Sequence, residues 1–332
     1  MCYNTLTGRR ELPENSNCRN EERNMNIVLL DGHTINPGDL SWEPLEKLCD
    51  EMMVYERTEQ DEIPAKIRDC EILMTSKCFI TRELMEAAPK LKYIGSTATG
   101  YNNIDVEAAA DLGIAVTNIP AYSTEAVSQH TIALILELSN HVGLHDDSVQ
   151  AGEWQSSEYF CYWKKPVTLL AGRSLGIIGY GAIGSRVAEI ARTLGMTINV
   201  YSRDREAAVR SDFLSLHCPL TTDNGKMINE EFIAQMKDGA CLINTARGGL
   251  IDEEALASAL RSGKLAGAAV DVLSTEPPAQ DNPLIGLDNC IITPHIAWCP
   301  VEMRQKVIDV LAENLTDWLE GGTLNRVERS FE

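Results

Sequence analysis

The sequence predicts an α/β protein with two domains, each built on a parallel sheet that helices cover on both faces. From Met25 onward, short β-branched segments alternate with helix-like segments, an order that is typical of parallel sheets. The alternation is interrupted near Tyr122 by one long helical segment, STEAVSQHTIALILELSNHV. It resumes with an apolar strand that runs into a glycine-rich turn, GYGAIG. A chain of 332 residues is long enough for two such domains.

The first domain begins at Met25 and follows the alternation closely. Its strands and helices are separated by short polar segments, as expected for βαβ units. The predicted strands are NIVLLDG, MVYER, EILMTSK, LKYIGSTATG and IAVTNI, and the predicted helices between them are WEPLEKLCDEM, EIPAKIRDC, RELMEAAP and DVEAAADLG.

The second domain repeats the pattern through CLINTAR, EALASALRSG, LAGAAVDVL and CIITPHI. A last amphipathic segment, VEMRQKVIDVLAENLTDWLEGG, is predicted to return the chain to the first domain. We therefore predict a disordered polar extension over residues 1–24, a substrate domain over 25–123 and 299–332, and a dinucleotide-binding domain inserted between them over 124–298.

Composition and charge exclude several classes of function. The net charge is −20 and no run of Lys and Arg occurs, which argues against a nucleic-acid partner. The longest apolar helical run, residues 131–140, is too short to cross a membrane and contains Glu137. The ten cysteines show neither CxxC pairs nor metal-ligand spacing. We interpret them as reduced thiols of a cytoplasmic protein without a metal site.

The glycine-rich turn predicts a dinucleotide site. Gly179, Gly181 and Gly184 follow the apolar strand SLGII and precede the helical segment SRVAEIARTLG. In that context the glycines let the backbone approach a pyrophosphate, whose charge is stabilised by the helix N-terminus. The alternative is a tight turn with a purely structural role.

The next strand, TINVYSR, bears on the choice of cofactor. It ends at Ser202, where NAD-preferring sites usually carry Asp or Glu on the ribose hydroxyls. A serine does not repel the 2′-phosphate of NADP, and Arg203 and Arg205 could attract it. The expected cofactor is NAD or NADP, with the balance toward tolerance of NADP.

The connection that follows is too short for a complete βαβ unit. From Arg203 to Ser211 there is room for about two helical turns. A third strand is therefore missing, and in the usual strand order it would be an edge strand. We expect the sheet to end at the strand over residues 198–202, the helical segment REAAVRSD to cross directly to DFLSLHC, and the adenine pocket to be open.

Three polar residues follow successive strands of the second domain. Arg247 follows CLINTA, Glu276 follows AAVDVLST, and His295 follows CIITP. Each could be an ordinary surface or turn residue. Together they suit the reduction of a 2-oxo acid, because a guanidinium binds carboxylate and carbonyl oxygens and a carboxylate-paired histidine can donate a proton.

The motifs GYGAIG, HCPLT, NTARGGLIDEEAL, AAVDVLSTEPP and TPHIAW, in this order, resemble those of the D-isomer-specific 2-hydroxyacid dehydrogenases. With TSK and ATGYNNID in the first domain, the chain is most similar to the glycerate dehydrogenase, or hydroxypyruvate reductase, group. The resemblance implies two Rossmann-like or flavodoxin-like domains, substrate binding by Arg247, and an acid–base histidine, His295, paired with Glu276. It also implies substrate loops at Ser76, Lys77, Ala98, Thr99 and Gly100, and cofactor contacts from Ala182, Ile183, His217, Pro219, Thr245, Ala246 and Asp271. The predicted cofactor site combines these residues with Gly179, Gly181, Gly184, Ser202 and Arg203.

The resemblance also implies a homodimer, with the aromatic arm AGEWQSSEYFCYWKKP contributing to the contact. Ser202 and the short 203–211 connection depart from the family pattern. Within the family, the alternative is a D-3-phosphoglycerate or D-lactate dehydrogenase, although Lys77 is the one cation evident near the substrate loops. Outside it, the alternatives are a dinucleotide-sensing regulator without enzymatic activity and an inactive shortened copy.

Overall fold

A computed structural model describes residues 25–327, so the polar extension predicted at 1–24 lies outside the described residues. The chain forms two compact units. One contains the described residues up to Asn118 together with those from Leu311, and the other is Ile119–Val310. The second boundary falls inside a helix that both units share, Val301–Leu319, which explains why no loop in the sequence marks it.

The first unit contains a five-stranded parallel sheet in the order β2-β1-β3-β4-β5. Its elements in chain order are β1 (Asn26–Leu29), α1 (Glu43–Glu46), β2 (Glu51–Val54), α2 (Ile63–Ile67), β3 (Ile72–Thr75), α3 (Arg82–Glu86), β4 (Tyr93–Ser96), α4 (Val106–Asp111) and β5 (Ala115–Thr117).

Burial within this sheet follows strand position. Every residue of β3 and of β4 is buried, whereas the edge strand β2 alternates between exposed and half-buried residues. Central strands of a parallel sheet have helices on both faces and read as continuous apolar runs. Because β1, β3 and β4 are neighbours, the segments that follow them meet at one edge of the sheet.

The second unit contains a six-stranded parallel sheet in the order β11-β10-β9-β8-β6-β7. Its elements are α5 (Thr124–Asn140), α6 (Val142–Gln150), β6 (Ser174–Ile178), α7 (Ala182–Thr193), β7 (Thr197–Val200), α8 (Arg205–Val209), β8 (Phe213–Leu216), α9 (Glu230–Gln235), β9 (Ala240–Asn244), α10 (Glu253–Ser262), β10 (Leu265–Val270), β11 (Cys290–Ile292) and the first half of α11 (Val301–Leu319).

The predicted loss of a third strand is confirmed, because β7 pairs with β6 and ends the sheet. The strand is shorter than the predicted 198–202, since residues 201–203 form a turn. The crossing helix α8 begins after Asp204, whose carboxylate accepts the Ala207 N–H at 3.0 Å. The Asn199 side chain donates to the carbonyl oxygen of Ala207 at 3.2 Å, so α8 is fastened to β7.

Helix α5 covers one face of this sheet and packs against α7. Its buried side chains include Ala126, Val127, Ile132 and Ile135. Among residues 25–327, no helix is long and apolar enough to span a membrane.

Candidate active site

The glycine-rich turn joins β6 to the twelve-residue helix α7, which begins at the exposed residue Ala182. A Cβ atom on Gly184 would lie 2.0 Å from the carbonyl oxygen of Gly179, so the close packing of helix and strand requires glycine there. A Cβ atom on Gly181 would have no heavy atom within 4 Å, so the backbone at this position is open to a ligand. A pyrophosphate at a helix N-terminus requires a turn of this shape.

The two residues predicted to face the adenosine, Ser202 and Arg203, are exposed in the turn after β7. The guanidinium of Arg203 lies over the ring of Tyr180, 4.8 Å from its centroid. Arg192 Nη2 lies 3.5 Å from the hydroxyl oxygen of the same tyrosine. Because Tyr180 stands between Gly179 and Gly181, it connects these two cations to the glycine-rich turn.

His217 and Pro219 follow β8, the neighbour of β6. The His217 N–H donates to the carbonyl oxygen of Ile178 at 2.7 Å, which places His217 beside the start of the glycine-rich turn. Its Nε2 lies 2.9 Å from the hydroxyl oxygen of Ser215. Burial lowers the pKa of His217 from 6.5 to about 4, so the ring is neutral at neutral pH. Pro219 is exposed.

Three further positions with a predicted cofactor role are tied to the interior of the unit. The hydroxyl of buried Thr245 lies 2.9 Å from that of Thr131 on α5. The Ala246 N–H donates to Asn244 Oδ1 at 3.0 Å. Ile183 is partly buried against the core beneath α5. The contacts of Thr245 and Ala246 hold the segment after β9 in place.

Arg247 is exposed at the end of this segment. Its Nη1 donates to the carbonyl oxygen of Ala246 at 2.7 Å, and its own carbonyl oxygen accepts from Asn244 Nδ2 at 2.9 Å. The next residue, Gly248, touches the segment after β10, where a Cβ atom would lie 1.9 Å from the carbonyl carbon of Leu273. The segments that carry Arg247 and Glu276 therefore pack directly on each other.

Glu276 and His295 form a hydrogen-bonded pair. His295 Nδ1 donates to Glu276 Oε2 at 2.6 Å, and Glu276 Oε1 accepts the Leu273 N–H at 3.0 Å. The side chains are 33% and 25% exposed for His295 and Glu276 respectively, so the pair is accessible but partly desolvated. Within the part of the chain that the structure describes, His295 Nε2 makes no hydrogen bond. This nitrogen can therefore face a reacting oxygen.

Asp271 is predicted to contact the cofactor. In the structure its buried carboxylate accepts hydrogen bonds from the segment that carries His295. Oδ1 accepts from the Thr293 hydroxyl at 2.5 Å and from the Ile296 N–H at 2.9 Å, and Oδ2 accepts the Ala297 N–H at 2.9 Å. Burial alone would raise the pKa of Asp271, but hydrogen bonds from His130, Thr293 and the two backbone amides hold it below its usual value.

The first unit carries the predicted substrate loops after β3 and β4. Asp31, which follows β1, accepts the N–H of Ser76 at 3.0 Å and that of Lys77 at 2.7 Å. It also accepts from the buried Thr75 hydroxyl at 3.1 Å. Its carboxylate therefore sets the path of the whole Ser76–Lys77 turn.

The second substrate loop is held by two side chains that flank it. The Ser96 hydroxyl is 3.3 Å from the carbonyl oxygen of Ala98 and 3.0 Å from that of Gly100. Asn118 Nδ2 donates to the carbonyl oxygen of Thr99 at 2.8 Å. All three predicted loop residues thus have fixed carbonyl groups.

Comparison with known proteins identifies the family. A model of the NAD binding domain of D-isomer-specific 2-hydroxyacid dehydrogenases matches residues 132–297. The chain is 44% identical to the hydroxypyruvate reductase of Blautia hydrogenotrophica, over 92% of this chain and 100% of that protein. It is 39% identical to the glycerate dehydrogenase of Methylorubrum extorquens, over 82% of this chain and 91% of that protein.

The chain belongs to the D-isomer-specific 2-hydroxyacid dehydrogenase family. A solved structure of the NADPH-dependent glyoxylate/hydroxypyruvate reductase of Sinorhizobium meliloti, in complex with NADP and malonate, matches with a TM-score of 0.77 and 27% identity. That match covers 92% of this chain and 97% of the other. The resemblance seen in the motifs is thereby confirmed, as is the α/β architecture with two parallel sheets.

The residues of the second unit fit the dinucleotide of this family. The backbone at Gly181 is open where a pyrophosphate would approach, while the packing at Gly184 closes the turn from inside. The shortened connection is also consistent with the alignments. The match to the Blautia protein extends over 323 positions but includes only 92% of this 332-residue chain. The Blautia protein therefore has residues that this chain lacks.

Sequence reasoning missed four residues that organise the two units: Asp31, His130, Tyr180 and Thr293. Asp31 and Thr293 each follow a strand, which is the signal that could have found them. His130 is a polar residue within the apolar helix α5, a position that invites the question of a buried partner. For Tyr180 the sequence contains no signal beyond its place between two glycines.

Proposed function

We propose that this family member reduces a small 2-oxo acid, either hydroxypyruvate to D-glycerate or glyoxylate to glycolate. It also catalyses the reverse reaction. The observation that carries the proposal is the Glu276–His295 pair, 2.6 Å apart, at the carboxyl edge of the dinucleotide-domain sheet. Ligands of open α/β sheets bind at that edge. The relatives named hydroxypyruvate reductase and glycerate dehydrogenase support the choice of substrate.

Each residue of the set has a role that follows from its chemistry. Reduced nicotinamide supplies the hydride when the cofactor is bound. His295 Nε2 gives a proton to the carbonyl oxygen of the substrate, and Glu276 holds the ring orientation through Nδ1 and balances the charge of the protonated ring. Arg247 binds the substrate carboxylate through its planar guanidinium.

The loops of the first unit complete the proposed set. We assign Ser76, Lys77 and the Ala98–Gly100 segment to the substrate carboxylate. Support comes from the fixed backbone of both loops, which the Asp31 carboxylate and the Asn118 amide hold. A loop that is ordered before the ligand arrives binds it without a further cost of ordering.

The second unit supports use of NADP as well as NAD. Ser202 brings no negative charge to the ribose, and Arg203 is held over Tyr180 at the same end of β7. The Sinorhizobium reductase with a similar fold is NADPH-dependent. We therefore propose that this chain accepts NADPH at a rate comparable with NADH.

A homodimer is the proposed assembly. In the arm over residues 151–166, Trp154, Tyr159, Phe160 and Trp163 are between 50% and 89% exposed. An exposed apolar patch of this kind is typical of an interaction surface.

A cytoplasmic location is supported by the eight cysteines of the described residues, all of which are free thiols.

Steady-state assays test the proposed reaction. Purified protein is given hydroxypyruvate, glyoxylate, pyruvate or 3-phosphohydroxypyruvate with NADH or NADPH, and nicotinamide absorbance is followed. We expect turnover of hydroxypyruvate or glyoxylate to exceed that of the other two acids. Preference for the phosphorylated acid or for pyruvate would support the alternative dehydrogenases. Cofactor binding without turnover of any acid would support a regulator, and absence of both would indicate an inactive shortened copy.

A further inference from the structure

A chain of three polar side chains lies behind His295. His130 on α5 has its Nε2 3.0 Å from the Thr293 hydroxyl oxygen, and that hydroxyl donates to Asp271 Oδ1 at 2.5 Å. His130 Nε2 is itself 3.5 Å from the same carboxylate oxygen. The Asp271 side chain is 1% exposed and that of His130 20% exposed.

The direction of each hydrogen bond follows from the available protons. A threonine hydroxyl has one proton, and here it goes to the Asp271 carboxylate, which can only accept. The Thr293 oxygen must then accept from His130, so Nε2 of His130 carries a proton. The chain therefore runs in one direction, from the imidazole through the hydroxyl to the carboxylate.

The segment that this chain supports is unusual in its backbone. His295 has φ 56°, in the left-handed region that residues other than glycine seldom adopt. Such conformations persist only where surrounding contacts determine them. The His295 N–H donates to the Asp271 carbonyl oxygen at 2.8 Å and to that of Thr293 at 2.9 Å, and the Ile296 and Ala297 N–H groups donate to the Asp271 carboxylate.

We propose that His130 and Thr293 are positioning residues that hold His295 in its left-handed conformation by orienting the Asp271 carboxylate toward the N–H groups of Ile296 and Ala297, the two residues that follow His295. Each element of the chain has a separate task. The Asp271 carboxylate accepts the N–H groups of Ile296 and Ala297, Thr293 fixes the rotation of the carboxylate, and His130 fixes the hydroxyl. The proposal rests on the proposed function for its kinetic test, and on the geometry alone for its structural test.

Two pairs of variants separate hydrogen bonding from packing. His130→Gln keeps an N–H donor near the position of Nε2, while His130→Leu removes it at similar volume. Thr293→Ser keeps the hydroxyl, while Thr293→Val removes it with the same shape. Thermal midpoints and NAD(P)H dissociation constants establish that each variant is folded and binds cofactor.

The kinetic result expected is a loss in kcat without a loss in binding. His130→Leu and Thr293→Val should lower kcat for the preferred 2-oxo acid by about tenfold to hundredfold, the effect of a small misplacement of a reacting group. Their KM values should change little, and His130→Gln and Thr293→Ser should keep most of the activity. Equal losses within a pair, or a loss confined to KM, would overturn the proposal.

Amide hydrogen exchange over residues 293–297 provides the test that needs no turnover. Exchange should be faster in His130→Leu and Thr293→Val than in wild type, and unchanged in the two conservative variants. Unchanged exchange in all four variants would overturn the proposal. If wild type turned over no 2-oxo acid while exchange followed the expected pattern, the proposed function would fail and the positioning role would stand.

Discussion

His295 Nδ1 donates to Glu276 Oε2 across 2.6 Å, and the other oxygen of that carboxylate is fixed by the Leu273 N–H. The carboxylate thus has one oxygen on the imidazole and one on the backbone. Partners of this kind fix which ring nitrogen carries the proton and how the ring is oriented.

Loss of the carboxylate should mainly affect the chemical step. We expect Glu276→Gln to lower kcat about tenfold to hundredfold, as removal of such an orienting partner does, with little change in KM. The exposed Glu254, in the NTARGGLIDEEAL motif, provides a matched control, because Glu254→Gln makes the same change away from His295. A wild-type kcat in Glu276→Gln would contradict the proposed role of the pair.

The choice between NADH and NADPH should depend on the turn after β7. Ser202→Asp places a negative charge where the 2′-phosphate would lie, so we expect the ratio of kcat/KM for NADPH to that for NADH to fall about tenfold. Arg203→Ala should shift the ratio in the same direction. Arg210→Ala is the control, because it removes an equal charge from an exposed arginine at the end of α8. That arginine pairs with Glu206. An unchanged ratio in Ser202→Asp would show that this turn does not determine the choice between NADH and NADPH.

The carboxylate of Asp31 should matter for substrate binding. Asp31→Asn places an amide group against the N–H groups of Ser76 and Lys77, so the turn should loosen. We expect a higher KM for the 2-oxo acid, a smaller change in kcat, and a loss of roughly 1–3 kcal/mol in the free energy of unfolding. Asp50→Asn changes an exposed carboxylate of the same unit and serves as the control. Equal KM values in both variants would count against a role of the Ser76–Lys77 turn in substrate binding.

His217 should make the protein without cofactor less stable in acid. Its pKa is about 4 in the folded protein, against an ordinary value of 6.5, because the surrounding protein desolvates the half-buried ring. As pH falls below 6.5 the unfolded chain takes up the proton first, so stability that is present in full above 6.5 declines until about pH 4.

His217→Gln removes this titration and keeps a polar group near Ser215. Melting temperatures measured between pH 7 and about 4 should fall more steeply for wild type than for His217→Gln. His33→Gln, which changes an exposed histidine, should follow the wild-type curve. Parallel curves for wild type and His217→Gln would show that protonation of His217 does not affect folding.

The exposed arm should be needed for association. We expect wild type to sediment as a dimer, and the double variant Phe160→Ser with Trp163→Ser to shift to monomer, since both side chains would otherwise bury apolar area in the contact. Phe79→Ser removes an exposed phenylalanine of the first unit and should leave the dimer intact. A wild-type monomer at micromolar concentration would disprove the proposed assembly.

Most of the architecture could be predicted from local patterns. Strand and helix alternation, the glycine-rich turn and the short segment between Arg203 and Ser211 are properties of neighbouring residues, and the structure retains all of them. The helix near residues 42–52 shows the limit of such patterns. The pattern predicts one helix over residues 42–52, but α1 ends after Glu46 and β2 already begins at Glu51.

Placement of Glu276 and His295 after successive strands could also be predicted, because parallel strands end at one edge of a sheet. The sequence did not show what holds them there. His130 and Thr293 are 163 positions apart, and their contact depends on how α5 crosses the sheet. The hydrogen bonds that Asp271 accepts from the N–H groups of residues 296 and 297 depend in the same way on the neighbouring ends of β10 and β11.

The amino-acid sequence was sufficient to establish the family, the strand that is missing and the residue types of the proposed chemistry, because these are written in contiguous motifs and segment lengths. Folding in three dimensions assigned Asp31 to the Ser76–Lys77 turn, Asp271 to the backbone around His295, and Tyr180 to Arg203. The physical reason is the separation along the chain between the residues that make these contacts. A motif records what one segment can do, whereas a buried carboxylate binds whichever N–H groups the packing of distant segments brings within hydrogen-bonding distance.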